Sequence, residues 1–121
     1  MSGERDPAVF LDDMVGAAEH LVATTSGVSD LDLLSEAGIL RGDMLHHLVV
    51  LGEAAKHVPG DVRAMRPGIQ WSTMAGMRDK IVHYYFGLDD RMILQAVRVE
   101  VPRDLPLMRT LLEQIDEGRG S

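Results

Sequence analysis

Arg78, His83 and Tyr85 lie within one short stretch, RDKIVHYYFG at 78–87, of a chain whose aromatic content is only 4%. Both tyrosines and one of the two phenylalanines directly follow that histidine. Arginine, histidine and tyrosine together can act on a phosphodiester that has a 2′-hydroxyl beside it. Such a reaction needs a proton taken from the hydroxyl, a proton given to the leaving oxygen, and charge stabilised on the phosphoryl oxygens. His83 suits the proton transfers and Arg78 the charge, and neither step calls for a metal. The product would be a 2′,3′-cyclic phosphate, and DNA, which lacks the attacking group, is excluded as a substrate.

On a helix the step from Arg78 to His83 ends about 140° past one full turn, so the two do not stack on one face. Arg78 and Tyr85 share a face, and so do Asp79 and His83, which lets Asp79 orient or charge the imidazole. Gly87, as the helix stop, puts His83 and Tyr85 in the last turn, where the negative end of the helix dipole favours an imidazolium. The half-sites can close in two ways. The last turn can loosen and bring His83 round toward Arg78, or a second copy of the helix can pack alongside by two-fold symmetry, which is the arrangement we favour. Spacing alone is weak support, because Arg and His five apart are common on helices. Tyr84 falls on the apolar stripe and is expected in the core; Tyr85 falls off it, and Phe86 is expected to cover the helix end.

The elements that must hold this stretch are all helical. Asp6 and Pro7 read as an N-cap and first helical residue, followed by Phe10, Met14, Ala17 and Leu21 up to Gly27. Ser29 and Asp30 cap a short helix through Leu33 and Leu34 that stops near Gly38. A second long helix covers roughly 40–58, with Met44, Leu48, Leu51, Ala55 and Val58 on one face, widened by Leu45 and Gly52. Pro59 and Gly60 end it, and 61–65 is one further turn. Trp71 and Ser72 open a third helix whose apolar positions are Met74, Met77, Ile81 and Tyr84. Asp89 and Asp90 restart the chain through Met92, Ile93, Ala96 and Val97; Pro102 begins the last helix, with Leu105, Met108, Leu112 and Ile115 buried. The expectation is a single domain over 1–121, an all-α bundle with ends frayed at about 1–5 and 117–121.

Composition bounds the partners. A length of 121 residues with 45% hydrophobic content fills one core. No run is long enough to span a bilayer, and MSGERDPAVF lacks the basic-then-apolar order of a secretory signal, so a cytoplasmic protein is expected. With no cysteine, disulfides, thiolate metal sites and cysteine nucleophiles are excluded. The net charge of −7 argues against broad polyanion binding, so RNA contact would be local and built by arginines.

The run GMRDKIVHYYFGLD, with GEAAK at 52–56, the PGIQW turn before it and VPRDLP after it, resembles the HepT-like branch of the HEPN superfamily over about residues 5–115. The resemblance implies a bundle that dimerises around an R-x4-H-x-Y signature, here Arg78, His83 and Tyr85, with a ribonuclease site at the interface. It implies the toxin half of a toxin–antitoxin pair whose partner, a small nucleotidyltransferase, adds AMP to Tyr85 and so blocks Arg78. Asp79 matches the polar position after the signature arginine, and Glu53 is a supporting residue that faces the site or holds Arg78 by an ion pair. One departure is His46-His47, where relatives often carry Arg-Asn; with the acidic balance it favours the alternative of a non-catalytic module that binds a nucleotidyltransferase or nucleotides. No cofactor and no metal site is expected: His46 and His47 point apart on a helix, and no third ligand falls at metal spacing. His20 and His57 are read as solvated, and the LDD runs at 11–13 and 88–90 as cap and surface carboxylates.

Overall fold

The Asp6 side chain accepts a hydrogen bond from the Ala8 amide at 3.0 Å, and Pro7 occupies the first helical position, where its missing N–H costs nothing. That starts α1 (Pro7–Thr25), which ends ahead of Gly27, whose φ of 77° lies in the left-handed region that favours glycine. Ser29 caps α2 (Asp30–Leu34) by accepting from the Asp32 amide, and α3 (Ile39–His57) follows. The short α4 (Gly60–Arg63) leads to α5 (Trp71–His83), a 3₁₀ turn at 85–87, α6 (Asp90–Gln95), a π turn at 96–100, and α7 (Val101–Gly120). The computed structural model describes residues 6–120, and no strand occurs among them, so the protein is all-α as expected. Residues 1–5 and 121, expected to fray, lie outside the described residues; residues 117–120 complete α7.

Helix α3 is the centre of the bundle. It packs against α1 on one side and α5 on the other, and α7 closes on α1. One apolar cluster runs through all four, including Leu11, Met14 and Leu21 of α1, Met44, Leu48 and Leu51 of α3, Met77 and Ile81 of α5, and Met108 and Leu111 of α7. Burying these side chains, at about 25 cal/mol per Å² of apolar surface, is the main force on the fold. No helix among the described residues is long and apolar enough to cross a membrane.

Three expectations change. Pro102 stands in the first turn of α7, as expected, but no break precedes it: α6 runs on through the π turn, where the Val101 amide donates to the Ala96 carbonyl. A proline ring clashes with the carbonyl four residues back in regular α geometry, and widening the turn ahead of Pro102 relieves that contact. On α7 the fully buried leucine after Met108 is Leu111, while Leu112 and Ile115 are only half-buried against the core. Finally α5 ends at His83, not at Gly87: Tyr84 leaves helical geometry at φ −130°, ψ 36° and is 66% exposed.

Two polar anchors set where α5 begins. Asp104 of α7, 1% exposed, accepts from the Gln70 amide at 3.0 Å, and the Trp71 indole N–H donates to the Arg66 carbonyl at 3.1 Å. The first ties an orphan amide at the helix entry to a buried carboxylate, and the second gives the buried indole N–H of Trp71 its acceptor. Its distance from α3 is set by Gly52. A Cβ there would meet the Cβ of Arg78 and would stand 2.5 Å from the Met74 carbonyl oxygen. Alanine normally gains up to about 1 kcal/mol over glycine inside a helix, but forcing two packed backbones apart costs roughly 1–3 kcal/mol. Gly52→Ala should therefore lower stability in urea unfolding by about 1–2 kcal/mol; a gain in stability would mean that α3 and α5 separate freely.

Candidate active site

The close approach at Gly52 lays the stem of Arg78 along α3, and the carboxylates of both helices converge on its head. Arg78 Nε lies 3.0 Å from Glu53 Oε1, and Nη1 donates to Asp79 Oδ1 at 3.0 Å. The Nε and Oε1 atoms are buried and close but not aligned for a hydrogen bond, so this contact is an ion pair. Lys56 Nζ donates to the same Asp79 oxygen at 2.9 Å, and His57 Nε2 stands 3.0 Å from Glu53 Oε2 while its ring stacks on Phe10. Hydrogen bonds from Lys56 and then Arg78 hold the Asp79 carboxyl below the usual carboxylate range. Among the described residues Arg78 Nη2 makes no hydrogen bond, so one edge of the fork remains for a further oxygen ligand.

Glu53 thus sits where the expectation put it, holding Arg78. Asp79 does not: it lies four residues before His83 on the same helix, but Lys56 and Arg78 take its carboxylate, and no hydrogen bond or ion pair joins it to the imidazole. Regular α geometry persists to the end of α5, with the Tyr84 amide donating to the Lys80 carbonyl at 2.8 Å, so no loosened turn brings His83 round to Arg78. Arg78 faces α3 and His83 faces solvent. Because the helix stops at His83, Tyr85 no longer shares a helical face with Arg78.

Around His83 the chain exposes apolar side chains. Val82 is 48%, Tyr85 46% and Phe86 99% exposed, and the Tyr84 ring meets His83 edge-on at 6.4 Å between centroids. Phe86 does not cover the helix end as expected; it projects into water. Tyr85 lines a shallow depression with Leu45, His46, Val49, Ile81 and Val82, and a second with Arg41 and Phe86. His46 lines this surface and His47 stacks on His20 of α1, but the two rings still meet edge-on with centroids 5.0 Å apart, so the adjacent pair diverges less than expected. The LDD carboxylates also serve locally: Asp89 caps α6 by accepting from the Arg91 amide, and Asp90 pairs with Arg41 at 3.3 Å.

Sequence reasoning did not find Lys56 and His57. The signal was present, since Glu53, Lys56 and His57 fall at i, i+3 and i+4 on α3, but nothing in the sequence said that α5 would bring Asp79 to the same place.

Comparison with known proteins gives this geometry a family. The family described as Ribonuclease HepT-like matches residues 11–115. A protein of Thermococcus cleftensis named "Probable ribonuclease HepT" is 33% identical over 93 residues, covering 77% of this chain and 84% of its own. A candidate RNase of Caldanaerobacter subterraneus subsp. tengcongensis is 28% identical over 110 residues, 91% of this chain and 97% of that one. Another, from Methanocaldococcus jannaschii, is 28% identical over 114 residues, covering 94% and 97%. No solved structure gives a significant match. With the match running from the first core leucine of α1 to the last turns of α7, and Arg78, His83 and Tyr85 all inside it, the chain belongs to the HepT-like ribonuclease family.

Proposed function

We propose that this protein is a ribonuclease toxin of a toxin–antitoxin pair, acting in the cytoplasm as a homodimer that cleaves RNA through the substrate's own 2′-hydroxyl. The observation that carries this reading is His83, exposed at the end of α5 within a collar of Val82, Tyr84, Tyr85 and Phe86. One chain leaves His83 in open solvent and its apolar collar in water, and a second copy packed there would cover the collar and bring two histidines and two arginines to one cleft. One His83 takes the proton from the 2′-hydroxyl as that oxygen attacks phosphorus. The P–O5′ bond breaks, and the other His83 returns a proton to the leaving oxygen. The free Nη2 edge of Arg78 stabilises the charge that builds on the phosphoryl oxygens. Family membership and the RNase names of the relatives support the reaction class.

AMP added to Tyr85 by a nucleotidyltransferase partner would place a phosphate on the rim of this cleft, compete for Arg78 and hold two copies apart. A half-exposed tyrosine beside His46 is within an enzyme's reach, which supports that role. The pairing of Arg78 with both Glu53 and Asp79 favours a second reading, in which the arginine is neutralised and the dimer only binds the partner or a nucleotide.

End-labelled RNA in excess EDTA should be cut by the wild type to 2′,3′-cyclic phosphate ends. His83→Ala and Arg78→Ala should each lose roughly 10²- to 10⁴-fold; a His83→Ala dimer that cuts as fast as wild type removes the catalytic reading and leaves the binding module. Phe86→Glu should keep its melting temperature, because the ring touches little in one chain, yet sediment as a monomer and lose cleavage. An active dimeric Phe86→Glu would put the interface elsewhere. After co-expression with the nucleotidyltransferase, intact mass should rise by multiples of one AMP, and Tyr85→Phe should abolish the rise.

A further inference from the structure

On the seam between α1 and α3, away from the Arg78 network, three side chains converge. His20, Asp43 and His47 each offer one donor atom, and the three atoms lie within 4.8 Å of one another. His20 Nε2 is 2.7 Å from Asp43 Oδ2, and His47 Nδ1 is 3.4 Å from Asp43 Oδ1. Asp43 and His47 are four apart and share one side of α3, while His20 reaches across from α1. The two imidazole rings stack with centroids 3.8 Å apart.

Which nitrogen of His47 is free follows from its own bond. His47 Nδ1 lies 2.8 Å from the backbone carbonyl oxygen of Asp43. A carbonyl only accepts, so Nδ1 carries the proton and the neutral ring keeps its Nε2 lone pair for a ligand. Metal-binding histidines are commonly held in this way, with the second ring N–H donated to a backbone carbonyl that fixes tautomer and orientation. The side chains of His20, Asp43 and His47 are 38%, 34% and 23% exposed, open enough for an ion to enter and for water to complete its shell.

We propose that His20, Asp43 and His47 form a binding site for a divalent first-row transition metal, zinc foremost, that clips α1 to α3. Two imidazoles and a carboxylate suit zinc, cobalt, nickel or copper, whereas magnesium and calcium favour all-oxygen shells. The ion would replace the proton shared by His20 Nε2 and Asp43 Oδ2, with bonds of about 2.0–2.2 Å; the stacked planes lie 22° apart and hold the in-plane lone pairs from converging, so one ring must swing out of the stack to ligate. Asp43 and Glu53 are ten residues apart on α3, about 15 Å along the axis, so this ion is a staple and takes no part at the scissile phosphate. EDTA would remove it while leaving the proposed cleavage chemistry intact.

The test uses the full chain without a histidine tag, stripped with EDTA and dialysed. Titration with Co²⁺ should give visible d–d bands, and calorimetry with Zn²⁺ should give one ion per chain. A hundredfold excess of free Zn²⁺ over its Kd should raise the melting temperature by roughly 5–10 °C. His20→Gln and His47→Gln should abolish all three responses, and His46→Gln, whose ring meets His47 edge-on but offers no ligand atom to the cluster, should keep one ion per chain. Asp43→Asn, which retains both rings, should bind at least tenfold more weakly, and it reads the site even if a histidine variant unfolds. Absence of stoichiometric binding by the wild type, or binding that survives His20→Gln and His47→Gln, overturns the proposal.

Discussion

The contact between α3 and α5 at Gly52 is the constraint on which the candidate site depends. Without a side chain at that position the two backbones come close enough for the stem of Arg78 to lie on α3. Glu53, the next residue, is then within 3.0 Å of the guanidinium, and Lys56, one turn further on, reaches Asp79. A larger residue at 52 would separate the helices and dissolve all of these pairs together. The glycine is thus the structural condition for a charge network that contains no glycine.

That network leaves an acidic protein with an oriented and partly exposed guanidinium. Every charge near Arg78 has an opposite neighbour, so the site adds little to the overall field, which the net charge of −7 sets. The arginine is oriented by its carboxylates but not enclosed by them, since its side chain is 25% exposed. The pair with Asp79, whose side chain is 46% exposed, is the weakly held one, and a phosphate oxygen can share the guanidinium there without unfolding anything around it. Orientation before contact is the condition under which a charged group is most useful to a developing transition state.

What the sequence revealed was what is local. Asp6, Ser29 and Asp89 announced their helices as caps, and the apolar spacing of α1 and α3 was enough to pick out their buried faces. The pairing of Glu53 with Arg78 was also within reach, because the family motifs put both on facing helices. The failures share one cause, which is competition between a local pattern and a neighbour distant in the chain or a backbone change. Tyr84 fitted the stripe of α5, but the helix ended one residue too soon for it. Pro102 marked the start of α7, but not that a π turn would join it to α6 without a break. His20 has no sequence link to Asp43 and His47, so only the α1–α3 seam could assemble that trio.

The π turn at 96–100 bears on the far side of the molecule. Ile93, Val97, Val101 and Leu105 are all buried, although twelve residues of uninterrupted α-helix would carry the last of them about 120° around from the first. The surplus residue in the wide turn takes back about 100° of that drift and keeps the four on one line. The helix phase beyond residue 100 is therefore stored in five residues that touch neither Arg78 nor His83. Deleting one of them would rotate Asp104 away from the Gln70 amide, and the entry of α5 would lose its buried acceptor while every residue of the signature stayed in place.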